Sequence, residues 1–166
     1  MFTPGTHAET FDEGLSIRKE VLGAAHVERS MANVSAFSKP VQDYVTEFCW
    51  GGIWSRPGLE RAERSLVNLG VLTALGRSHE LSVHVRGALR NGVTVEQIQE
   101  VLLQCAMYVG APAALESFRI AEQVIRQELG DAAVDDAPPA DAAEDAVGSD
   151  DAAAAAGGAS TGAPAS

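Results

Sequence analysis

Along the first 130 positions apolar residues recur mostly at intervals of three and four, the spacing that lines one face of an α-helix. The clearest run is Val95, Ile98, Val101, Leu102, Cys105, Ala106 and Val109. It opens on Thr94-Val95-Glu96-Gln97, where the threonine hydroxyl and the glutamine amide can satisfy each other's free backbone N–H groups. The same periodicity predicts a first helix over about 9–25, carried by Phe11, Leu15, Val21 and Leu22, then a mixed stretch with a turn near Asn33 and Ser35. Ser38-Lys39-Pro40 signals a second helix start. That helix is expected to run to Cys49 or Trp50 and bury Val41, Val45 and Phe48. Gly51-Gly52 and Pro57-Gly58 then predict a broken, loop-like stretch. A third helix over about 59–75 presents Leu59, Ala62, Leu66, Leu69 and Thr73 inward and stops at Gly76, and a fourth covers about 79–90 before Asn91-Gly92. After the run from Val95, Gly110-Ala111-Pro112 turns the chain into a sixth helix over about 113–129, with Leu115, Phe118, Ala121 and Ile125 inward. No segment alternates with period two, so the expected architecture is all-α, about six helices, the last four joined by short turns.

Composition divides the chain at about residue 130. The formal charge is −11, but residues 131–166 hold eight Asp and Glu with no Lys or Arg, leaving the first 130 residues at −3. This last stretch is dominated by Ala, Asp, Gly, Pro and Ser, too little apolar surface to offset the entropy of ordering it, so a disordered tail is expected over 131–166 after a helical domain over 1–130. The helical part has no basic patch for nucleic acid, and nothing approaches the roughly 18 apolar residues of a membrane span. Charged Glu9, Asp12 and Glu13 stand where a signal peptide would be apolar, which points to the cytoplasm. Cys49 and Cys105 stand in no metal or redox spacing and are expected as reduced packing residues.

Chemistry concentrates in Gly76–Arg86. On a helix, Arg77, Glu80 and His84 stand three and four residues apart and share one face, beside the apolar face of Leu81, Val85, Ala88 and Leu89. A cation, a carboxylate and an imidazole at the edge of a dry stripe suit proton chemistry on an anion; an ordinary half-buried helix has the same pattern. Trp54 and Arg56 in the Gly/Pro-rich stretch read either as a core cap with a solvated arginine or as a substrate-facing loop, since arginine grips a carboxylate through two parallel hydrogen bonds. A phosphate loop is lacking, as are zinc spacing and a nucleophile motif. No metal is expected.

Several of these runs together resemble the carboxymuconolactone decarboxylase family. They are Trp54-Ser55-Arg56-Pro57-Gly58-Leu59, Arg64-Ser65-Leu66-Val67-Asn68, Leu72-Thr73-Ala74-Leu75-Gly76-Arg77, His79-Glu80-Leu81, His84-Val85-Arg86-Gly87-Ala88-Leu89 and Asn91-Gly92-Val93-Thr94. Gln104, Pro112–Phe118 and the upstream Gly14-Leu15, Ile17-Arg18 and Val21-Leu22-Gly23 extend the likeness over about 10–129. The wider superfamily includes alkylhydroperoxidase-like proteins with a Cys-x-x-Cys pair followed by a histidine. Here Arg77 and Glu80 stand at the two cysteine positions, His84 matches the histidine, and Ser65 replaces an upstream glutamate. Without that thiol pair, thiol–disulfide peroxidase chemistry has no nucleophile.

The resemblance implies cofactor-independent decarboxylation of 4-carboxymuconolactone, a dicarboxylate lactone of the protocatechuate branch of the β-ketoadipate pathway. Loss of CO2 sends electrons through the C=C bond to the lactone carbonyl, so the substrate is its own electron sink. The protein must hold a dianion, stabilise the enolate oxygen and protonate carbon. His84 is the expected general acid, with Glu80 orienting it or relaying the proton and His79 as alternative donor. Arg77, with Arg56 or Arg64, is the expected carboxylate grip, beside Trp54. A related lactone or keto acid as substrate, or a non-catalytic helical assembly protein on the same scaffold, are the competing readings. The resemblance also implies a homo-oligomer, a trimer or hexamer.

Overall fold

The computed structural model describes residues 5–135, which are helical and joined by turns, with no strand among them. The chain opens with α1 (His7–Leu22), α2 (Ala24–Ala32) and α3 (Lys39–Tyr44). A π-helical segment, Val45–Trp54, continues directly from α3. There follow α4 (Arg61–Ala74), α5 (Ser78–Arg90), α6 (Val95–Val109), α7 (Ala111–Leu129) and the single turn α8 (Ala132–Asp135).

The second half folds as its pattern predicts. The Thr94–Gln97 capping box forms, with Gln97 N donating to Thr94 Oγ1 at 3.1 Å and Thr94 N donating to Gln97 Oε1 at 3.0 Å. Glu60 and Glu63 cap α4 in the same reciprocal way. Helices α4 to α7 enclose an aliphatic core of Leu69, Leu81, Val85, Ala88, Ile98, Leu102, Ile120, Val124 and Ile125. Each of its Leu, Ile and Val side chains contributes on the order of 1.5–3 kcal/mol when fully withdrawn from water. Leu115 does not join it: α7 turns Ala114, Ser117, Ile120 and Ala121 inward, so Leu115 falls on the outer face. Leu59 likewise lies before α4 and is exposed.

The first half departs from expectation in one consequential place. The chain does not break at Gly51-Gly52; it winds on as a π-helix to Trp54, and α1 packs along it. The glycines serve close approach. A Cβ on Gly51 would sit 2.0 Å from the Thr10 carbonyl oxygen, and one on Gly14 would sit 2.1 Å from that of Thr46. The two helix backbones therefore touch where side chains would hold them apart. The wider π turn also changes which residues point inward. Thr46, Trp50 and Trp54 are buried, whereas Val41 and Phe48, expected inside, are exposed. Trp50 and Trp54 join Ile17, Val21, Leu22 and Val27 in a second core.

Residues 131–135 are ordered rather than disordered, because Arg126 gathers carboxylates of Glu122, Asp131 and Asp135 around α8. The rest of the expected tail, from 136 on, lies outside the described residues. Cys49 and Cys105 are free thiols. No helix among the described residues is long and apolar enough to cross a membrane.

Candidate active site

Helix α5 belongs to both cores at once. Leu81, Val85 and Ala88 face the aliphatic bundle, while Val83 packs against the tryptophan cluster. His84, between them, is half-buried and lies against both indoles. Its ring is parallel to that of Trp50, with 1° between planes and 6.3 Å between centroids, and stands 6.4 Å from Trp54. The two indoles stack on each other at 4.9 Å. Offset ring contacts at these separations are favourable, and here they orient the imidazole. No hydrogen bond to a described residue occupies either imidazole nitrogen, so both remain available to a ligand.

Burial against the indoles lowers the His84 pKa from its ordinary value, because a low-dielectric wall disfavours the imidazolium. The nearby Glu80 carboxylate acts in the opposite sense, through charge, and is the smaller influence. In the unliganded protein the imidazole is consequently neutral at pH 7. Protonation must then favour the unfolded chain. The stability that neutral His84 contributes is fully present above the unfolded pKa and is lost as pH falls through the depressed folded value.

The structure brings Trp54 to His84, at the end of the π segment rather than in a loop. Trp50, read from the sequence as core, is buried there and is also the plane parallel to the imidazole. Glu80 lies one turn before His84, exposed, and reaches it by charge without a hydrogen bond. Arg64 reaches back from α4 to the segment after Trp54, its Nη2 donating to the Arg56 carbonyl at 2.7 Å, while its Nε is sealed from solvent without a partner. Arg56 is exposed and borders a cavity of about 430 Å³ together with Trp54, Glu13, Glu20 and Glu60, an acidic setting for a carboxylate grip. Arg77 is the N-cap of α5, where its carbonyl accepts the Leu81 N–H at 2.8 Å and its side chain is exposed. No hydrogen bond or ion pair joins Arg77 or Arg64 to His84 or Glu80 among the described residues. His79 is exposed in the first turn of α5; its charge acts on His26 of α2. Among the described residues no group of His, Cys, Asp and Glu is placed to hold a metal ion.

Sequence reasoning assigned no role to Arg18. It is buried on α1 and donates to Thr46, one step along the π segment from Trp50. A buried arginine was visible in principle, as a charge between Ile17 and Val21 on the apolar side of α1, but its surroundings come from three other elements.

Comparison with known proteins places this arrangement. Residues 39–123 match the Carboxymuconolactone decarboxylase family, a span that includes the π segment, α4, α5 and α6. The chain is 44% identical over 122 residues to 4-carboxymuconolactone decarboxylase of Acinetobacter baylyi, covering 74% of this chain and 90% of that protein. It is 42% identical over 119 residues to the nitrosuccinic acid decarboxylase of Metarhizium robertsii, covering 72% of this chain and 83% of the relative. An uncharacterised 15.0 kDa protein of Paracoccus denitrificans is 34% identical over 84 residues, covering 49% of this chain and 63% of that one. With the family match and two decarboxylases aligned along most of their length, the chain belongs to the carboxymuconolactone decarboxylase family.

Proposed function

We propose that this chain is a cofactor-independent decarboxylase acting on 4-carboxymuconolactone, with His84 as the proton donor. The observation that carries the reading is the half-buried imidazole held against a stacked pair of indoles, with no described residue hydrogen-bonded to either nitrogen. The scissile C–C bond breaks as CO2 departs, and its electron pair moves through the C=C bond to the lactone carbonyl oxygen. The resulting dienolate takes a proton at the carbon next to the carbonyl. That proton comes from the His84 imidazolium, whose N–H bond breaks as the C–H bond forms, leaving neutral His84 and the β-ketoadipate enol-lactone; solvent restores the proton.

The depressed pKa suits this role in two ways. An imidazolium in a dry setting is a stronger acid than one in water, which favours transfer to carbon. An arriving dianion offsets the cost of charging the ring, so substrate binding draws a proton onto His84. Trp54 and Trp50 form the wall that keeps water from the dienolate. Arg64 and Arg56 flank that wall on the α4 side, and Arg77 stands at the head of α5, as the cations assigned to the carboxylates. His79 and Glu80 are the reserve donor and the charge that keeps His84 titratable.

A second substrate reading rests on the 42% identity to a nitrosuccinic acid decarboxylase. A nitro group next to the departing carboxylate accepts the electron pair as a lactone carbonyl does, and the same proton donor serves. Self-association belongs to the proposal as well: Met107 (84% exposed), Tyr108 (82%) and Leu115 (70%) are large apolar side chains left exposed on either side of the turn from α6 to α7. A trimer or hexamer would cover them, and sedimentation as a monomer would count against that part.

The deciding experiment measures CO2 release by the purified protein from 4-carboxymuconolactone and from nitrosuccinate, with chelator present. Turnover of the lactone, and its loss in His84→Gln at unchanged oligomeric state, is expected. Turnover of nitrosuccinate alone reassigns the substrate; turnover of neither supports the assembly-protein reading.

A further inference from the structure

Arg18 is an anomaly of charge. Only 7% of its surface is exposed, yet its guanidinium contacts are all with neutral groups from three other elements. Nη1 donates to Gln42 Oε1 of α3 at 3.1 Å and to Thr46 Oγ1 of the π segment at 3.1 Å, and lies 3.9 Å from Met31 Sδ of α2. Nε is sealed from solvent with no partner, and no hydrogen bond to a described residue involves Nη2. No carboxylate among the described residues pairs with it. Burial lowers its pKa, but arginine starts so high that the group remains a cation at any pH at which the protein works.

A buried cation without a counter-charge is strongly unfavourable, and folded proteins pair such groups. Here the described residues give Nε no acceptor. The missing partner is therefore an anion that is not part of the described chain. Position says which one. Thr46, Trp50 and Trp54 follow one another at intervals of four on the buried side of the π segment, and His84 lies against the last two of them. Arg18 meets this row at Thr46, the end away from the imidazole.

We propose that Arg18 binds the carboxylate that the substrate retains, through guanidinium donors that no described residue takes. The inference rests on the decarboxylase reading and assigns the two carboxylates to different places. The departing one must lose its charge on the way to CO2, so a tight ion pair to it would stabilise the ground state more than the transition state and slow the reaction. The retained one keeps its charge throughout, so a buried arginine on it positions the substrate without opposing the chemistry. Both named relatives act on substrates with two carboxyl groups, and one anchor of this kind serves either acceptor.

The test compares wild type with Arg18→Met and Arg18→Lys, using succinate as a non-reacting dicarboxylate and the two candidate substrates. Succinate is expected to raise the melting temperature of the wild type and to quench its fluorescence, which comes from Trp50 and Trp54, the only tryptophans in the chain. Arg18→Met should lose both responses, lose 100-fold or more in kcat/KM mainly through KM, and melt at the same or a higher temperature, because the uncompensated charge is gone. Arg18→Lys should recover part of the binding. A purely structural arginine gives the opposite pattern: Arg18→Met melts lower and the folded fraction retains KM. That result, or a succinate response that is absent from wild type or equal in both proteins, overturns the proposal. If wild type binds succinate through Arg18 but releases no CO2 from either substrate, the decarboxylase reading fails and the anion site stands.

Discussion

Two cores lie side by side in this fold, and they are built on different terms. The α4–α7 bundle closes over aliphatic side chains, and the polar groups buried nearby are small neutral hydroxyls, those of Ser65, Thr73 and Ser117. Ser65 is satisfied locally, donating to the Arg61 carbonyl at 3.0 Å and accepting from Asn91 Nδ2 at 2.9 Å. The core between α1, α2 and the π segment holds two tryptophans, two backbones in contact and a full cation with no counter-charge among the described residues. The first arrangement is largely what stability alone selects, although the Thr73 hydroxyl is buried without a partner among the described residues. The second keeps an unfavourable charge and an uncommon π winding, and such exceptions gather where a ligand or a reaction compensates them. His84 sits on α5, which borders both.

The sharpest way to break this comparison is a pair of substitutions on either side of it. Leu102→Ala, in the aliphatic bundle, should lower stability by about 2–5 kcal/mol and leave kcat of the folded fraction near wild type. His84→Gln should leave the melting temperature almost unchanged and lower kcat by about 10²–10⁴-fold, some 2.7–5.5 kcal/mol of barrier. Thermal melts and single-substrate kinetics on both variants read the two axes separately. If Leu102→Ala reduces kcat as much as it reduces stability, the division of labour between the cores is wrong.

Next in size is the seam between α1 and the π segment. Gly51→Ala places a methyl 2.0 Å from the Thr10 carbonyl oxygen, a backbone atom that cannot swing aside. The helices must separate, at a cost of about 1–3 kcal/mol. Because Trp50 and Trp54 flank Gly51, the shift should also change tryptophan emission and lower activity. Gly58→Ala, where nothing lies within 4 Å, is the matched control and should change neither. A normal melt for Gly51→Ala would contradict the seam.

What was legible in the sequence follows the same division. The capping box at Thr94 and the three–four repeat through Ile98 and Leu102 are local signals, and the bundle they describe is there. Gly51-Gly52 is also a local signal, and it misleads, because the same residue type marks a chain break or a helix that another backbone approaches closely. Only the partner, Gly14 on α1, decides between them, and it stands 37 positions earlier. The error then propagated: an α-helical reading turns Phe48 inward, whereas the π winding exposes it and buries Thr46, Trp50 and Trp54. For the site, the stripe of Glu80 and His84 was readable from spacing, and Trp54 from its unusual place beside glycines. That Trp50 would lie parallel to His84 was not, nor was the isolation of Arg18, since an unsatisfied charge is defined by what three other elements fail to supply.

The smallest expected effect tests how Glu80 acts. Its carboxylate is exposed and makes no hydrogen bond to the imidazole, so its influence on His84 is a screened charge that raises the pKa against the larger lowering by burial. If the free enzyme must carry His84 protonated, kcat/KM falls as pH rises through that depressed pKa, below the ordinary histidine value of about 6.5. Glu80→Gln removes the opposing charge, so the pKa falls further and the descending limb moves to lower pH. At a fixed pH above the limb this appears as a loss of a few-fold in kcat/KM, with the plateau at low pH preserved. Added salt should shrink the difference between wild type and variant, because it screens a charge but does not replace a hydrogen bond. The folded protein should respond in the same sense: a lower folded pKa extends to more acidic pH the range over which protonation favours unfolding, so Glu80→Gln loses more stability on acidification than wild type. A loss of the plateau itself, independent of pH and salt, would mean instead that Glu80 handles the proton directly.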